Sequence, residues 1–355
     1  MKKKERNVTI YDIAREAGVS TGTVSRYING VGKSKGDTEE RIRQAIEKLH
    51  YVPNRSARAL KSQKRNILCL AYPESDNPFF FEMVSVIEDE VKKAGYSMMI
   101  SHTHGEVQEE LKILELTKEG IIDGLFLINF NYTDAHFAAF KSAGCPVVVS
   151  SLCVSPYGGQ ENDCYDYVGI DVFNALYMST SHLIKNGHER IAYVGGPNTM
   201  CVFRERFEGY CSALSWGKLK LDENLVFAEE QFDEEAGYRA GCVIAKMEER
   251  PTAVCAASDV IAIGIIRALK EHGLRIPEDV ALVGLDNISF DRVLTPPLSS
   301  VRMMQGEIGR CAVEFLLARL NGDESKAKKI IYQPELVVRQ SSENAARPDA
   351  AAPET

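Results

Sequence analysis

The 355-residue chain has no apolar run close to the roughly 20 residues that a membrane-spanning helix needs. Its N-terminus, MKKKERN, is basic, but no apolar signal core follows. A cytoplasmic protein with no membrane partner is the expectation. None of the nine cysteines forms a CxxC pair. They sit mostly in apolar segments and read as reduced, buried thiols rather than a zinc site or disulfide frame. The seven histidines include no pair at helical i, i+4 spacing. His102 and His104, two apart at a strand end, read as solvated residues before metal ligands. No GxGxxG follows the first strand, and no GxSxG elbow occurs. Gly30–Gly36 looks like a phosphate-binding loop, but GxxxxGK[ST] requires glycine where Tyr27 stands, and a helix precedes it. These absences leave no catalytic constellation, no metal and no cofactor to expect.

What is present is a division of charge. Residues 1–65 hold 16 basic against 7 acidic side chains, a net of +9. The remainder holds 26 against 43, a net of −17. A basic head on an acidic body is the footprint of a nucleic-acid binder with a separate regulatory portion. The length predicts two or three domains.

Within the head, Thr9–Asn29 reads as two short helices around a tight turn. Thr9 and Asp12 make a capping box. Ile10, Ile13, Ala14 and Ala17 give the first helix one apolar face. Gly18 suits the sharp turn, and Val19 plugs the gap between the helices. Ser20 caps the second helix, Thr21–Ile28, whose Val24 and Ile28 point inward. Thr21, Gly22, Ser25, Arg26 and Asn29 stay outward. Such short hydrogen-bonding side chains with one guanidinium suit a helix in a DNA major groove. A third helix runs from Asp37 or Thr38 to about His50, with Ile42, Ala45, Ile46 and Leu49 on its apolar face. Pro53 interrupts the pattern. Arg55–Lys61 could form one and a half turns that need a partner to persist.

VTIYDIAREAGVSTGTVSRYIN followed by YVPNRSARAL resembles the lactose-repressor/galactose-repressor (LacI/GalR) family of bacterial transcription regulators, and the similarity runs to about residue 342. The resemblance implies an all-α helix-turn-helix head plus hinge helix. These join an α/β periplasmic-binding-protein-like core of two doubly wound parallel-sheet subdomains. It implies DNA contacts from Tyr11, Ser20, Thr21, Gly22, Thr23, Ser25, Arg26, Asn29, Tyr51, Asn54, Ala57 and Leu60. Leu60 matches the leucine that the family's hinge helix wedges into the minor groove. Departures are Ser34-Lys35 before the third helix, Gly22 where a base-reading side chain is usual, and Met303-Met304 at a crossover that often starts with Gln.

The body alternates strands and helices, as parallel α/β sheets do. Strands are expected at Ile67–Tyr72, Ser97–Ser101, Gly124–Ile128, Val147–Ser150, Tyr167–Ile170, Ile191–Val194, Ala253–Ala256 and Ala281–Leu285. Blocks such as Asn77-Pro-Phe-Phe80, Arg204-x-Arg206-x-x-Gly209 and Arg275-Ile-Pro-Glu-Asp-Val280 match the family's effector core. The resemblance maps effector binding onto Phe79, Phe80, Asp171, Arg206, Phe232, Ser258 and Asp286. A guanidinium that donates and a carboxylate that accepts suit a small polar ring.

The expected organisation is a helix-turn-helix domain (1–53), a hinge and linker (54–65), an effector core (66–342) and a disordered tail (343–355). The core is expected to form an N-subdomain, about 66–172 plus 303–329, and a C-subdomain, about 173–302 plus 330–342. The expected function is a homodimeric repressor of a double-stranded, pseudo-palindromic operator, with a carbohydrate effector and no enzymatic activity. A purine- or nucleoside-responsive regulator of the same family is the alternative. A solute-binding receptor without a DNA role and a sugar-converting enzyme are the outside rivals.

Overall fold

The computed structural model describes residues 8–28, 36–51, 65–73, 77–130, 132–150, 164–197 and 200–343. The chain separates into two units, residues 1–65 and 66–355.

The first unit is helical. α1 (Ile10–Ala17), α2 (Thr21–Ile28) and α3 (Gly36–Lys48) share a small core of Ile13, Ala14, Ala17, Val24, Ile42 and Ala45. The Asp12 carboxylate accepts from the Thr9 backbone N–H (2.9 Å) and hydroxyl (2.7 Å), closing the start of α1. Gly18 turns the chain at φ 64°, a left-handed geometry in which a Cβ would be strained. Ser20 Oγ accepts from Thr23 N at 3.2 Å and caps α2. Lys48 reaches Glu16 at 2.7 Å and ties α3 to α1. The third helix begins at Gly36 and ends at Lys48, slightly before the span the pattern predicts, because His50 turns at φ 48°.

The second unit holds two sheets. The first comprises β1 (Ile67–Tyr72), β2 (Ser97–His102), β3 (Gly124–Ile128), β4 (Val147–Ser150), β5 (Asp166–Ile170) and β11 (Lys329–Tyr332). They lie in the order β11-β5-β4-β3-β1-β2, all parallel. The second comprises β6 (Ile191–Gly195), β7 (Val226–Ala228), β8 (Ala253–Ala256), β9 (Ala281–Asp286), β10 (Ser299–Arg302) and β12 (Glu335–Val337), in the order β12-β10-β9-β8-β6-β7. Only its edge pair β10–β12 is antiparallel. β3, β4, β6, β8 and β9 are buried along their whole length. That explains their unbroken apolar runs: helices cover both sheet faces.

The connecting helices are α4 (Phe79–Lys93), α5 (Val107–Lys118), α6 (Asp134–Lys141), α7 (Val172–Lys185), α8 (Cys201–Trp216), α9 (Glu234–Lys246), α10 (Asp259–Glu271) and α11 (Gln305–Leu320). The chain passes between the sheets three times. It leaves the first after β5, since α7 packs beneath β8, β9, β10 and β12. It returns after β10, since α11 packs on α4 and under β3, β4 and β5. It crosses last between Tyr332 and Glu335, because Lys329–Tyr332 pair with Tyr167–Ile170. The boundary expected between residues 329 and 330 therefore falls three residues too early. Hydrogen bonding to β5, rather than hydrophobicity, assigns that strand to the first sheet. Among the described residues, no helix is long and apolar enough to cross a membrane.

Candidate effector cleft and nucleic-acid interface

Parallel sheets bring the carboxyl ends of their strands, and the loops that follow, to one edge. Here the two sheets face each other across such edges. From the first come Asn77, Phe79 and Phe80, after β1, and Phe130, after β3. From the second come Val202, Phe203 and Arg206 on α8, Phe232 ahead of α9, and Asp286 at the end of β9. Together they line one cavity. Its free volume is only about 20 Å³, room for one or two waters.

Phe79 and Phe80 open α4, where Asn77 Oδ1 accepts from Phe79 N at 3.0 Å. Their rings meet edge to face, with centroids 5.0 Å apart. Opposite, Phe203 and Phe232 stack obliquely at 4.6 Å. The Arg206 guanidinium lies 5.3 Å from the Phe232 centroid and 5.8 Å from that of Phe203. Its Nη1 donates to the Ala257 carbonyl at 2.7 Å, which fixes the side chain while α8 aims it at the cleft. Arg206 and Asp286 are each 3 % exposed. Beneath them, burial pushes the Tyr193 hydroxyl well above its ordinary range, against the opposing pull of the Arg206 charge.

Five of the seven effector residues expected from the sequence thus line this one cavity: Phe79, Phe80, Arg206, Phe232 and Asp286. Asp171 and Ser258 do not. Asp171 Oδ1 accepts from Asn174 N at 2.9 Å, and Ser258 Oγ accepts from Ile261 N at 3.2 Å. The family resemblance placed both at the effector site, and both follow strand ends. The same position makes them the N-caps of α7 and α10. Asn77, Phe130, Val202 and Phe203 were missed. Phe203 precedes Arg206 by three residues and so shares its helix face. No local pattern distinguishes Phe130 from a core residue. Among the described residues, no group of three or more His, Cys, Asp or Glu is arranged to hold a metal ion.

On the head, Tyr11 is 71 % exposed. Gly22 and Arg26 are also exposed, and Ser25 and Thr21 are half-buried along α2. Thr23 shares a 2.9 Å hydroxyl contact with Ser20. Tyr51 packs partly against the head core. Asn29, Asn54, Ala57 and Leu60 lie outside the described residues, as do Ser34-Lys35 and the tail from residue 344.

Comparison with known proteins agrees with this layout. Residues 9–54 match the family model "Bacterial regulatory proteins, lacI family", and residues 180–342 match "Periplasmic binding protein-like domain". The HTH-type transcriptional repressor PurR of Actinobacillus pleuropneumoniae serotype 3 (strain JL03) is 32% identical over 338 residues, covering 95% of this chain and 98% of that one. A solved complex of the transcriptional regulator CelR with cellobiose is similar at 29% identity, with a TM-score of 0.69, covering 94% of this chain and all of that one. The lac repressor dimer bound to operator and the anti-inducer ONPF shares the fold at a TM-score of 0.83 and 24% identity, covering 95% and 99% of the two chains. With a lacI-family head, a periplasmic-binding-protein-like body and a repressor relative that it matches nearly end to end, this chain belongs to the LacI family of bacterial regulatory proteins and is a ligand-responsive, DNA-binding transcription repressor.

Proposed function

We propose that the chain acts as a homodimer on a two-fold symmetric operator, and that a small flat ring in the cleft sets its affinity for DNA. The observation that carries this reading is the construction of one cavity from two sheets, with Asn77, Phe79, Phe80 and Phe130 on one wall and Phe203, Arg206, Phe232 and Asp286 on the other. A ligand that touches both walls favours one subdomain arrangement over another, which is the condition for shifting the equilibrium. A cavity of about 20 Å³ must widen to admit any ring compound, so binding and subdomain movement are one event. Phe81, Ile100, Phe290 and Val293 are exposed apolar side chains available to self-association. In this reading Thr21, Ser25, Arg26 and Asn29 read base edges, while Tyr11, Ser20, Gly22, Thr23, Tyr51 and Asn54 position the backbone. Ala57 and Leu60 enter the minor groove.

The wall chemistry bears on the effector. Five phenylalanines confront three polar side chains. A monosaccharide carries four or five hydroxyls, each costly to bury unpaired. A purine-type heterocycle has two apolar faces and a polar edge, which suits two phenyl walls with Arg206 and Asp286 at the rim. We therefore place the purine alternative above the carbohydrate first expected. The cellobiose complex of a 29% identical regulator keeps a sugar as the second reading.

A thermal-shift titration of the full chain with guanine, hypoxanthine, guanosine, cellobiose and ribose tests the choice. Stabilisation by a base alone supports the purine class. Stabilisation by a sugar alone returns the effector to the carbohydrates.

A further inference from the structure

Asp286 ends β9 in a conformation that ordinary strand ends do not adopt. Its φ is 120° and that of Asn287 is 54°. Such geometry is strained for a residue with a Cβ and persists only where the surroundings impose it. The imposing groups can be named. Asn287 N donates to Ser300 Oγ at 2.9 Å, and Ile288 N donates to Asp259 Oδ2 at 3.0 Å. Ser300 Oγ in turn donates to Asp259 Oδ1 at 2.7 Å. Arg339 Nη2 donates to Asn287 Oδ1 at 2.6 Å, while its Nη1 donates to the Leu298 carbonyl at 2.5 Å. Gln305 Nε2 donates to the Asp286 carbonyl at 2.5 Å. Four side chains from three separate stretches of sequence, Asp259, Ser300 with Gln305, and Arg339, therefore grip three consecutive residues. Gly284 permits it: a Cβ there would stand 2.1 Å from Asp259 Oδ1, so the carboxylate could not cross β9.

We propose that Arg339, together with Asp259, is a positioning residue of the effector site, moulding Asp286–Ile288 so that the Asp286 carboxylate is presented to the cleft. Gln305 carries the same loop's position to the start of α11. None of the three lines the cavity. Arg339 lies in the last segment of the core, after the third crossing, and Gln305 lies just after the second. The loop is thus held from two of the three passages of the chain between the sheets. The proposal rests on Asp286 being an effector contact.

The test is hydrogen–deuterium exchange on the full chain without ligand, comparing wild type with Arg339→Gln, Arg339→Lys and Ser300→Ala. Arg339→Gln is expected to speed exchange at Asn287 and Ile288 at least tenfold, with Arg339→Lys intermediate. Exchange in Ala253–Ala256 of the same sheet should stay within twofold. Ser300→Ala, which removes the acceptor of Asn287 N, should give the same local loosening by another route. Unchanged exchange at 287–288 in both Arg339→Gln and Ser300→Ala overturns the proposal. So does uniform loosening of β6, β8 and β9, which would make Arg339 a general stabiliser. The underlying effector reading fails separately, if thermal shifts given by guanine or cellobiose survive Asp286→Asn.

Discussion

Asp291 is fully buried, and the Arg339 guanidinium Nη1 stands 3.9 Å from its Oδ2, too far for a tight ion pair. Beside it, Asp259 is also fully buried. Burial raises both carboxyls, and the Asp291 charge raises Asp259 further. The charged groups bearing on the pair are Arg339, Asp286 and Arg292. Asp291 itself is pushed up to about 7. The native state therefore holds a proton that the unfolded chain releases near pH 4. Stability from this group is complete below about pH 4 and is lost as pH rises through about 7. Asp291→Asn abolishes that loss. Its Tm relative to wild type should climb by several degrees between pH 5 and pH 8, at about 2–4 °C per kcal/mol. Calorimetry across that range checks it, and a constant difference would contradict the assignment. Arg206 makes a different demand. Arg206→Ala leaves the Ala257 carbonyl without this donor, costing about 1–3 kcal/mol, and removes the cation from the cleft. Effector-induced thermal shifts should vanish, while ligand-free operator affinity in anisotropy titrations stays within about twofold.

Among the elements, the exposed α2 carries a testable inconsistency. Gly22 sits inside this helix, where glycine costs roughly 1 kcal/mol against alanine. A Cβ there would meet nothing closer than Ser20 Oγ at 3.7 Å. Gly22→Ala should stabilise the head by about 0.5–1 kcal/mol, read from helical signal on chemical denaturation of residues 1–65 within the full chain. α2 was legible because its cap, turn and inward Val24 are all local signals. The buried strands were legible for the same reason, as short apolar runs. β10 was not, since Ser299-Ser-Val-Arg hides two serines in a hydrogen-bonded seam: Ser299 Oγ donates to the Arg339 carbonyl at 2.7 Å, and Ser300 serves Asp259. α11 escaped because it is buried nearly all round, so no single apolar stripe marks it. The cavity was half legible. Arg206 and Asp286 stand out by chemistry, but Phe130 joins them only through the meeting of two sheets.

At the scale of the whole molecule, the proposed effector between the two sheets would have to alter a head that lies at the other end of the sequence. In the proposed mechanism the link is the segment from Asn54 to Lys61, whose one large apolar side chain is Leu60. A leucine wedge is useful only where a base step is unstacked and the DNA is bent. The +9 head attracts any duplex through phosphate, whatever its sequence. These two contributions separate experimentally. Leu60→Ala removes no charge, so the slope of log affinity against log salt should stay as in wild type. Affinity for a selected operator should fall at least tenfold, and affinity for a scrambled duplex of equal length by less than twofold. Equilibrium titrations of both duplexes at three salt concentrations read all three quantities. Equal losses on the two duplexes would make Leu60 a general support of the head. A flatter salt slope would instead mean that the substitution displaces the phosphate-binding lysines and arginines. Only selective loss at an unchanged slope places operator discrimination in the hinge, where the movement of the core can reach it.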